Sequence, residues 1–501
     1  MSTLHPRPPY TDAELAKLYP PNLDLQLVQI LMRHGERTPV RPRFQNTGLP
    51  PFWPYCSSVR QITSTILSPS SSSSSSPLTT LQWTRHLETF SPNSDSPTLA
   101  LSPGSQTAAA ADNICDFGTL TDVGRFTTYS LGTRLRDLYI TRLGFLPPAI
   151  TSTHPSFYLR TTPVPRALES LQQTFSALYP PNTRLPSPDT GVFPNPIIIT
   201  RAHADETLYP NDGNCRRFAA LSRAFAQRAA DKWNDTPEME FLNQLIGRWM
   251  EEEGGGKQKR VAVDGRPRLS GVMDTVNATL AHGAGTRLPR EFYDERARGI
   301  IERIGVEEWF AGYGESEEYR RLGIGGLVGD LVERMVGSVE GDGKGKGVKF
   351  GLHGCHDTTL AGMLASLGAF GREEWPPFTS HVAVELFRDN GKGEREKGGW
   401  LGGWMGGKGR EIGRRPMEEL SESEKKRLEG YYVRLRYNDE VVTVPGCKKE
   451  GRHLEGDESF CTLAAFKEIV DKFTPKNWKQ ECRLNRGETV SVPKQPEPAG
   501  Y

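Results

Sequence analysis

The feature that most narrows what this chain can fold into is a ten-residue apolar run, LDLQLVQILM at 23–32, that stops on the charged segment RHGERTP. The run alternates at first and then becomes continuously apolar, the pattern of a strand buried on both faces. Such a strand belongs to a sheet with helices packed on each side. The rest of the chain supplies matching parts. SFYLR at 156–160 reads as a short strand and ALESLQQTFSAL at 167–178 as the helix after it. VKFGLH at 348–353 is a second buried strand, followed by the helical DTTLAGMLASLG with Asp357 as its N-cap. VAVELF at 382–387 and YYVRLRYN at 431–438 are further strands, and the segment from Leu120 has helical spacing with Leu131, Leu135 and Leu138 on one side. The expected class is α/β.

At 501 residues the chain exceeds what one hydrophobic core supports, so a second packed unit or a large insert is expected. Residues 1–22 read as an extended arm, 23–181 and 345–490 as a discontinuous α/β core, and 491–501 as a tail. The stretch 182–344 is charged, helix-forming and broken by glycine, which predicts a mostly helical cap grown from one connection of the sheet. Two low-complexity tracts, near 68–77 and 391–410, read as solvated excursions.

Charge then removes whole classes of partner. Lys and Arg total 62 against 61 Asp and Glu, a net charge of +1, which leaves no basic excess to neutralise a nucleic-acid backbone. No segment approaches the roughly 18 apolar residues of a membrane span. The N-terminus carries no signal-peptide run, and seven dispersed cysteines without paired CxxC spacing read as reduced thiols, so the expected location is intracellular and cytoplasmic.

Three strands end on an arginine or histidine with a helix soon after: Arg33-His34-Gly35-Glu36-Arg37-Thr38-Pro39, Arg160-Thr161-Thr162, and His353-Gly354-Cys355-His356-Asp357. Ligands of open α/β sheets bind off the carboxyl ends of the strands, where helix N-termini favour anions. Arg33 and Arg37 flanking His34 describe a phosphate clamp around a nucleophile, because a guanidinium fork matches phosphate oxygens bidentately. One ring nitrogen of His34 would attack phosphorus while the other donates to a local backbone carbonyl. Gly35 allows a close backbone approach, and Pro39 would open the next helix. Asp357 is the candidate general acid for the departing alkoxide, His356 a ligand of the transferring phosphoryl group and Arg160 a third phosphate ligand. Arg166, at a helix start, reads as an ion-pair residue. A metal site built from His353, Cys355, His356 and Asp357 is the competing reading of the same stretch.

RHGERTP, the downstream LRTTPVPRALESLQ and the later His-Asp pair resemble the histidine acid phosphatases, branch 2 of the histidine phosphatase superfamily. The resemblance extends to LTDVGRFTTYSLGTRLRDLY, WPPFTSHVAVELF and the C-terminal ESFCTLAAFKEIVDKFTPKNWKQEC. It implies a phosphoglycerate-mutase-like three-layer α/β core with an inserted α-helical cap, and a covalent phosphohistidine at His34. By motif, Arg33, Arg37, Arg160 and His356 bind phosphate and Asp357 donates the proton; no metal or other cofactor is implied. The partner is a small phosphorylated substrate, with a phytase and a lysophosphatidate-type phosphatase as alternatives inside the family. Secreted relatives carry disulfides where Cys215, Cys447, Cys461 and Cys482 fall, which implies the pairs Cys215–Cys482 and Cys447–Cys461 and a secretory alternative for location. A non-catalytic phospholigand-binding homologue is the reading from another class; it would need the arginines but not Asp357. Arginines crowded around a carboxyl group lower its pKa and disfavour protonation of His34, so an acidic pH optimum is expected.

Overall fold

The computed structural model describes residues 8–57, 61–67, 78–91, 94–101, 111, 113–250, 260–341, 347–371, 374–391, 412–483, 490 and 492–501. The tracts 68–77 and 391–410 therefore lie outside the described residues, save Gly391.

The first apolar run is strand β1, Leu23–Arg33. Two antiparallel hairpins follow, β2 (Gln61–Leu67) with β3 (Leu78–Thr84) and β4 (Glu88–Ser91) with β5 (Ser94–Leu99). The remaining strands are β6 (Phe157–Thr161), β7 (Ile198–Ile199), β8 (Phe350–Cys355), β9 (His381–Asp389), β10 (Tyr431–Tyr437), β11 (Glu440–Val442), β12 (His453–Leu454) and β13 (Asp457–Thr462). One sheet runs in the order β12-β13-β10-β9-β1-β8-β6-β7, with β11 alongside β10. β1, β8, β6 and β7 are mutually parallel, while β9 is antiparallel to β1. The parallel register sets Arg33 beside Cys355 and Thr161 beside Gly354, so three strand ends meet at one edge.

Alternation along β1 divides the core. Val28, Ile30 and Met32 face Leu131, Leu135 and Leu138 of helix Asp122–Arg136 and its continuation, together with Leu171 and Phe175 of helix Pro165–Leu178. Leu27 and Leu31 face the other way, into a cluster with Leu331 and Met335 of helix Gly326–Glu340 and Leu360 and Leu364 of helix Asp357–Ser366. Helices therefore cover both faces of a mixed sheet, the three layers of an α/β fold. The second cluster continues without a break into helices Arg216–Trp233, Leu269–Leu280 and Glu295–Glu315 of the 182–344 stretch. The sheet also reaches into that stretch, since β7 is its edge strand.

Residues 1–22 are not wholly an extended arm. A helix spans Asp12–Leu18, opened by a capping box in which Thr11 and Glu14 satisfy each other's backbone N–H groups. Tyr19 after it donates to Glu385 Oε1 at 2.6 Å, and Glu385 is buried among Arg434, Arg436 and Tyr139, so the segment is pinned to the sheet. Pro39 does not open a helix either; the next helical turn is the short 3-10 segment Gln45–Thr47. The structure joins Cys215 to Cys482 and Cys447 to Cys461, and it adds Cys56–Cys115, a pair the sequence reading leaves out. Cys355 stays reduced and buried. Among the described residues no helix is long and apolar enough to cross a membrane.

Candidate active site

His34 follows the last residue of β1, held by its main chain. Its N–H donates to the carbonyl of Cys355 at 3.1 Å, and its own carbonyl accepts from Thr379 N–H at 3.2 Å. The ring Nδ1 lies 2.9 Å from Gly35 O. A carbonyl can only accept, so Nδ1 carries the hydrogen and Nε2 keeps its lone pair. Gly35 is required here because a Cβ on it would stand 2.3 Å from the carbonyl oxygen of Gly124; a Cβ on Gly124 would meet Glu36 O at 2.2 Å. Backbone thus packs on backbone where the nucleophile loop crosses the start of helix Asp122–Arg136.

Burial, followed by the charges of Arg166, Arg33 and Arg37, holds the His34 imidazole well below its usual pKa, which favours the neutral ring. Arg33 is buried, its Nη2 2.9 Å from Asp357 Oδ2, its Nη1 donating to Pro376 O and its guanidinium 4.1 Å from the centre of the Phe378 ring. Arg37 pairs at 2.8 Å with Asp274, which helix Leu269–Leu280 brings in and which also takes Arg43 at 3.0 Å.

His356 and Asp357 follow β8, with His356 rather than Asp357 in the N-cap position of helix Asp357–Ser366. The rings of His34 and His356 stand 5.5 Å apart, centre to centre, and His356 Nε2 lies 3.1 Å from Thr162 Oγ1. Burial and then Arg166 lower the His356 pKa to about 3, against the opposing pull of Asp357. Asp357 accepts at Oδ2 from both Arg33 and Trp375 Nε1, each at 2.9 Å, and at Oδ1 from Thr358 N–H at 2.8 Å. Burial alone would raise this carboxyl. Arg33, the Trp375 indole and Arg37 more than offset it and hold the pKa at about 2.

The third arginine is not the expected one. Arg160 lies within β6, 1% exposed, with Nη2 2.6 Å from Glu206 Oε1 and Nη1 3.4 Å from Asp330 Oδ2. Two carboxylates consume its charge inside the fold, so the phosphate-ligand assignment of Arg160 is corrected. Arg166 is instead the arginine whose charge reaches both site histidines. It stands in the first turn of helix Pro165–Leu178, has no carboxylate within ion-pair distance among the described residues, and is the leading charge acting on both His34 and His356. Burial and the neighbouring Arg37 lower its own pKa to about 10, which leaves it cationic at neutral and acidic pH.

His353 does not share a site with His356. Its Nδ1 bonds Ile30 O at 3.1 Å and its ring faces Tyr158 at 5.6 Å, whereas Cys355 Sγ donates to Met32 O at 3.2 Å. Among the described residues no group of three or more His, Cys, Asp and Glu is placed to hold a metal ion. Sequence reasoning missed Trp375, Asp274 and Arg166. WPPFTSH contained a signal, since Trp375, Pro376, Phe378 and Thr379 all contact Arg33, His34 or Asp357.

A neutral, tautomerically fixed histidine among arginines, with a carboxyl group opposite, is a geometry for phosphoryl transfer. Residues 24–438 match the model of the histidine phosphatase superfamily, branch 2. The chain belongs to that family. It is 34% identical over 474 residues to a probable acid phosphatase of Schizosaccharomyces pombe, covering 93% of this chain and 95% of that one. Prostatic acid phosphatase of Rattus norvegicus is 24% identical across 73% of this chain and 80% of its own length. The apo form of Hafnia alvei phytase superposes with a TM-score of 0.50 over 93% of this chain and 99% of that one; at 13% identity the likeness is one of fold.

Proposed function

We propose that the chain is an acid phosphatase that cleaves small phosphate monoesters through a phosphohistidine on His34. The Nε2 lone pair attacks phosphorus, the bond from phosphorus to the alcohol oxygen breaks, and that oxygen takes a proton through Asp357. Arg33, Arg37, Arg166 and His356 hold the equatorial oxygens as charge redistributes. Water then attacks the phosphohistidine and gives its proton to the Asp357 carboxylate, and the bond from phosphorus to nitrogen breaks to release inorganic phosphate. The observation that carries this reading is the Nδ1 bond from His34 to Gly35 O, which leaves the Nε2 lone pair free in a field of three arginines.

The pH dependence follows from Asp357. At about 2, its carboxyl is ionised at pH 5 and holds no proton of its own to give. A phosphate monoester, whose second pKa is near 6, carries that proton into the site as its monoanion. Activity therefore falls as the monoanion is lost above about pH 6. Release of inorganic phosphate from butyl phosphate between about pH 4 and about pH 8, with chelator present, tests the reading. Acid-favoured turnover, abolished in His34→Ala and accompanied by an acid-labile radiophosphate label on the wild type, is expected. A rate that climbs steadily toward alkaline pH, or a His34→Ala variant that still turns over, overturns it.

The three cysteine pairs support an oxidising compartment, where disulfides persist, over the cytoplasmic expectation. Thiol titration of the denatured protein then finds one group, Cys355.

A further inference from the structure

In-line attack by His34 would direct the departing alcohol toward Asp357, and the structure has a cavity that reaches the residue next to it. It encloses about 400 Å³ between helices Arg216–Trp233 and Glu295–Glu315, and Thr358 and Pro210 line it. Thr358 follows the proposed acid directly. Pro210 follows Tyr209, whose ring stands 6.0 Å from that of His356. The cavity thus touches both segments that carry the proton-transfer side of the site.

Its walls define the chemistry it accepts. Phe218, Phe310, Tyr313 and Tyr319 form an aromatic lining. The charges at its border cancel in number: Asp212 and Glu308 against Arg223 and Arg268, with Glu308 already 2.5 Å from Arg268. A polyanion such as an inositol polyphosphate needs a clear excess of cations for the phosphates that are not being cleaved, and this border supplies none. One polar atom in the lining lacks a partner. Tyr313 is 1% exposed, and its hydroxyl makes no hydrogen bond among the described residues. That hydroxyl is closed off from the cavity, with its end of the ring packed against Gly362, so the cavity meets a ligand through apolar contact.

We infer that this cavity receives the alcohol half of the substrate, and that the enzyme prefers phosphate monoesters of uncharged, mainly apolar alcohols. The inference rests on the proposed phosphatase reaction. Both alkyl and aryl alcohols meet the description, and substrate series separate them.

The test measures kcat/KM for ethyl, butyl, hexyl and octyl phosphate, for phenyl and naphthyl phosphate, and for glycerol 2-phosphate and phytate. With the cavity as the alcohol site, kcat/KM rises about three- to four-fold per added methylene until the space is filled. A steeper gain from phenyl to naphthyl than along the alkyl series marks aryl alcohols as the natural class, and the reverse marks alkyl chains. Ala219→Trp, which fills the cavity, lowers kcat/KM for octyl phosphate by ten-fold or more and leaves glycerol 2-phosphate within about two-fold. Should that variant not fold, the wild-type series still decides. Good turnover of glycerol 2-phosphate with a flat alkyl and aryl series, or a preference for phytate, overturns the inference and spares the reaction. No turnover of any ester by folded protein overturns the reaction itself.

Discussion

Arg166→Met and Arg160→Met, made side by side, separate the two arginines that the fold assigns opposite roles. Arg166 acts on the nucleophile and has no carboxylate within ion-pair distance among the described residues, so its loss falls on the phosphate. A charge-assisted hydrogen bond is worth about 1.5–3 kcal/mol, which is about ten- to 150-fold in kcat/KM. The buried position favours the upper half, about 100-fold, with a matching rise in the competitive inhibition constant of inorganic phosphate. The variant should unfold in urea close to wild type, since the only hydrogen bond from its guanidinium among the described residues is a long one, 3.5 Å, to Gly118 O. Arg160→Met does the reverse. It strands Glu206 in the interior, while Asp330 keeps Arg201 and Arg414, and breaking a buried pair costs about 3–5 kcal/mol. The urea midpoint drops while phosphate inhibition of whatever folds stays within about three-fold. Tight phosphate inhibition in Arg166→Met, together with its selective loss in Arg160→Met, would refute the assignment.

Trp375→Phe keeps a ring against Phe310 but removes the donor to Asp357 Oδ2. Turnover of alkyl phosphates, whose leaving oxygen needs a proton, should fall about ten-fold, while p-nitrophenyl phosphate, whose anion leaves unaided, and the inhibition by phosphate barely change. Equal losses on both substrates would make the residue structural only. Stability should also weaken in mild acid. His34 and His353 are held well below their usual pKa, His356 at about 3 and His282 at about 4, in each case first by burial. The unfolded histidines bind protons below about 6.5 and the folded ones do not, so each subtracts up to about 1.4 kcal/mol per pH unit as pH falls from there toward its folded value. Depressed carboxylates such as Asp357 add to this only below about pH 4. Urea unfolding at about pH 7 and about pH 5 checks it, and equal stability at the two contradicts it.

Much of the fold was legible because its signals are local. β1, β9 and β10 announce themselves as apolar runs, and Leu131, Leu135 and Leu138 do face the sheet. What failed also has local causes. The helix Asp12–Leu18 was hidden by surrounding prolines although Thr11 and Glu14 spell its capping box. β7 is two residues long, too short for periodicity to register. Cys56 and Cys115 are 59 residues apart, with hairpins β2–β3 and β4–β5 between them, and their pairing depends on a turn of chain that no spacing reveals.

The error over Arg160 is more instructive, because the principle used to find the site already contained the correction. Ligands bind beyond the carboxyl ends of parallel strands, against helix N-termini. Arg160 precedes the last residue of β6, and its register partner His353 likewise sits inside β8, with its ring bonded to Ile30 O rather than to the site. Side chains at such positions leave the sheet through a face and enter the packed layers, where Arg160 finds Glu206. Residues past the strand end are the ones free to turn toward the edge: His34 one residue after β1, His356 one residue after β8, Thr162 one residue after β6. After β6 the first cation past the end is Arg166, in the opening turn of the following helix. By this rule a strand-internal arginine in an α/β sheet needs a buried carboxylate, and the helix-opening arginine downstream meets the anion.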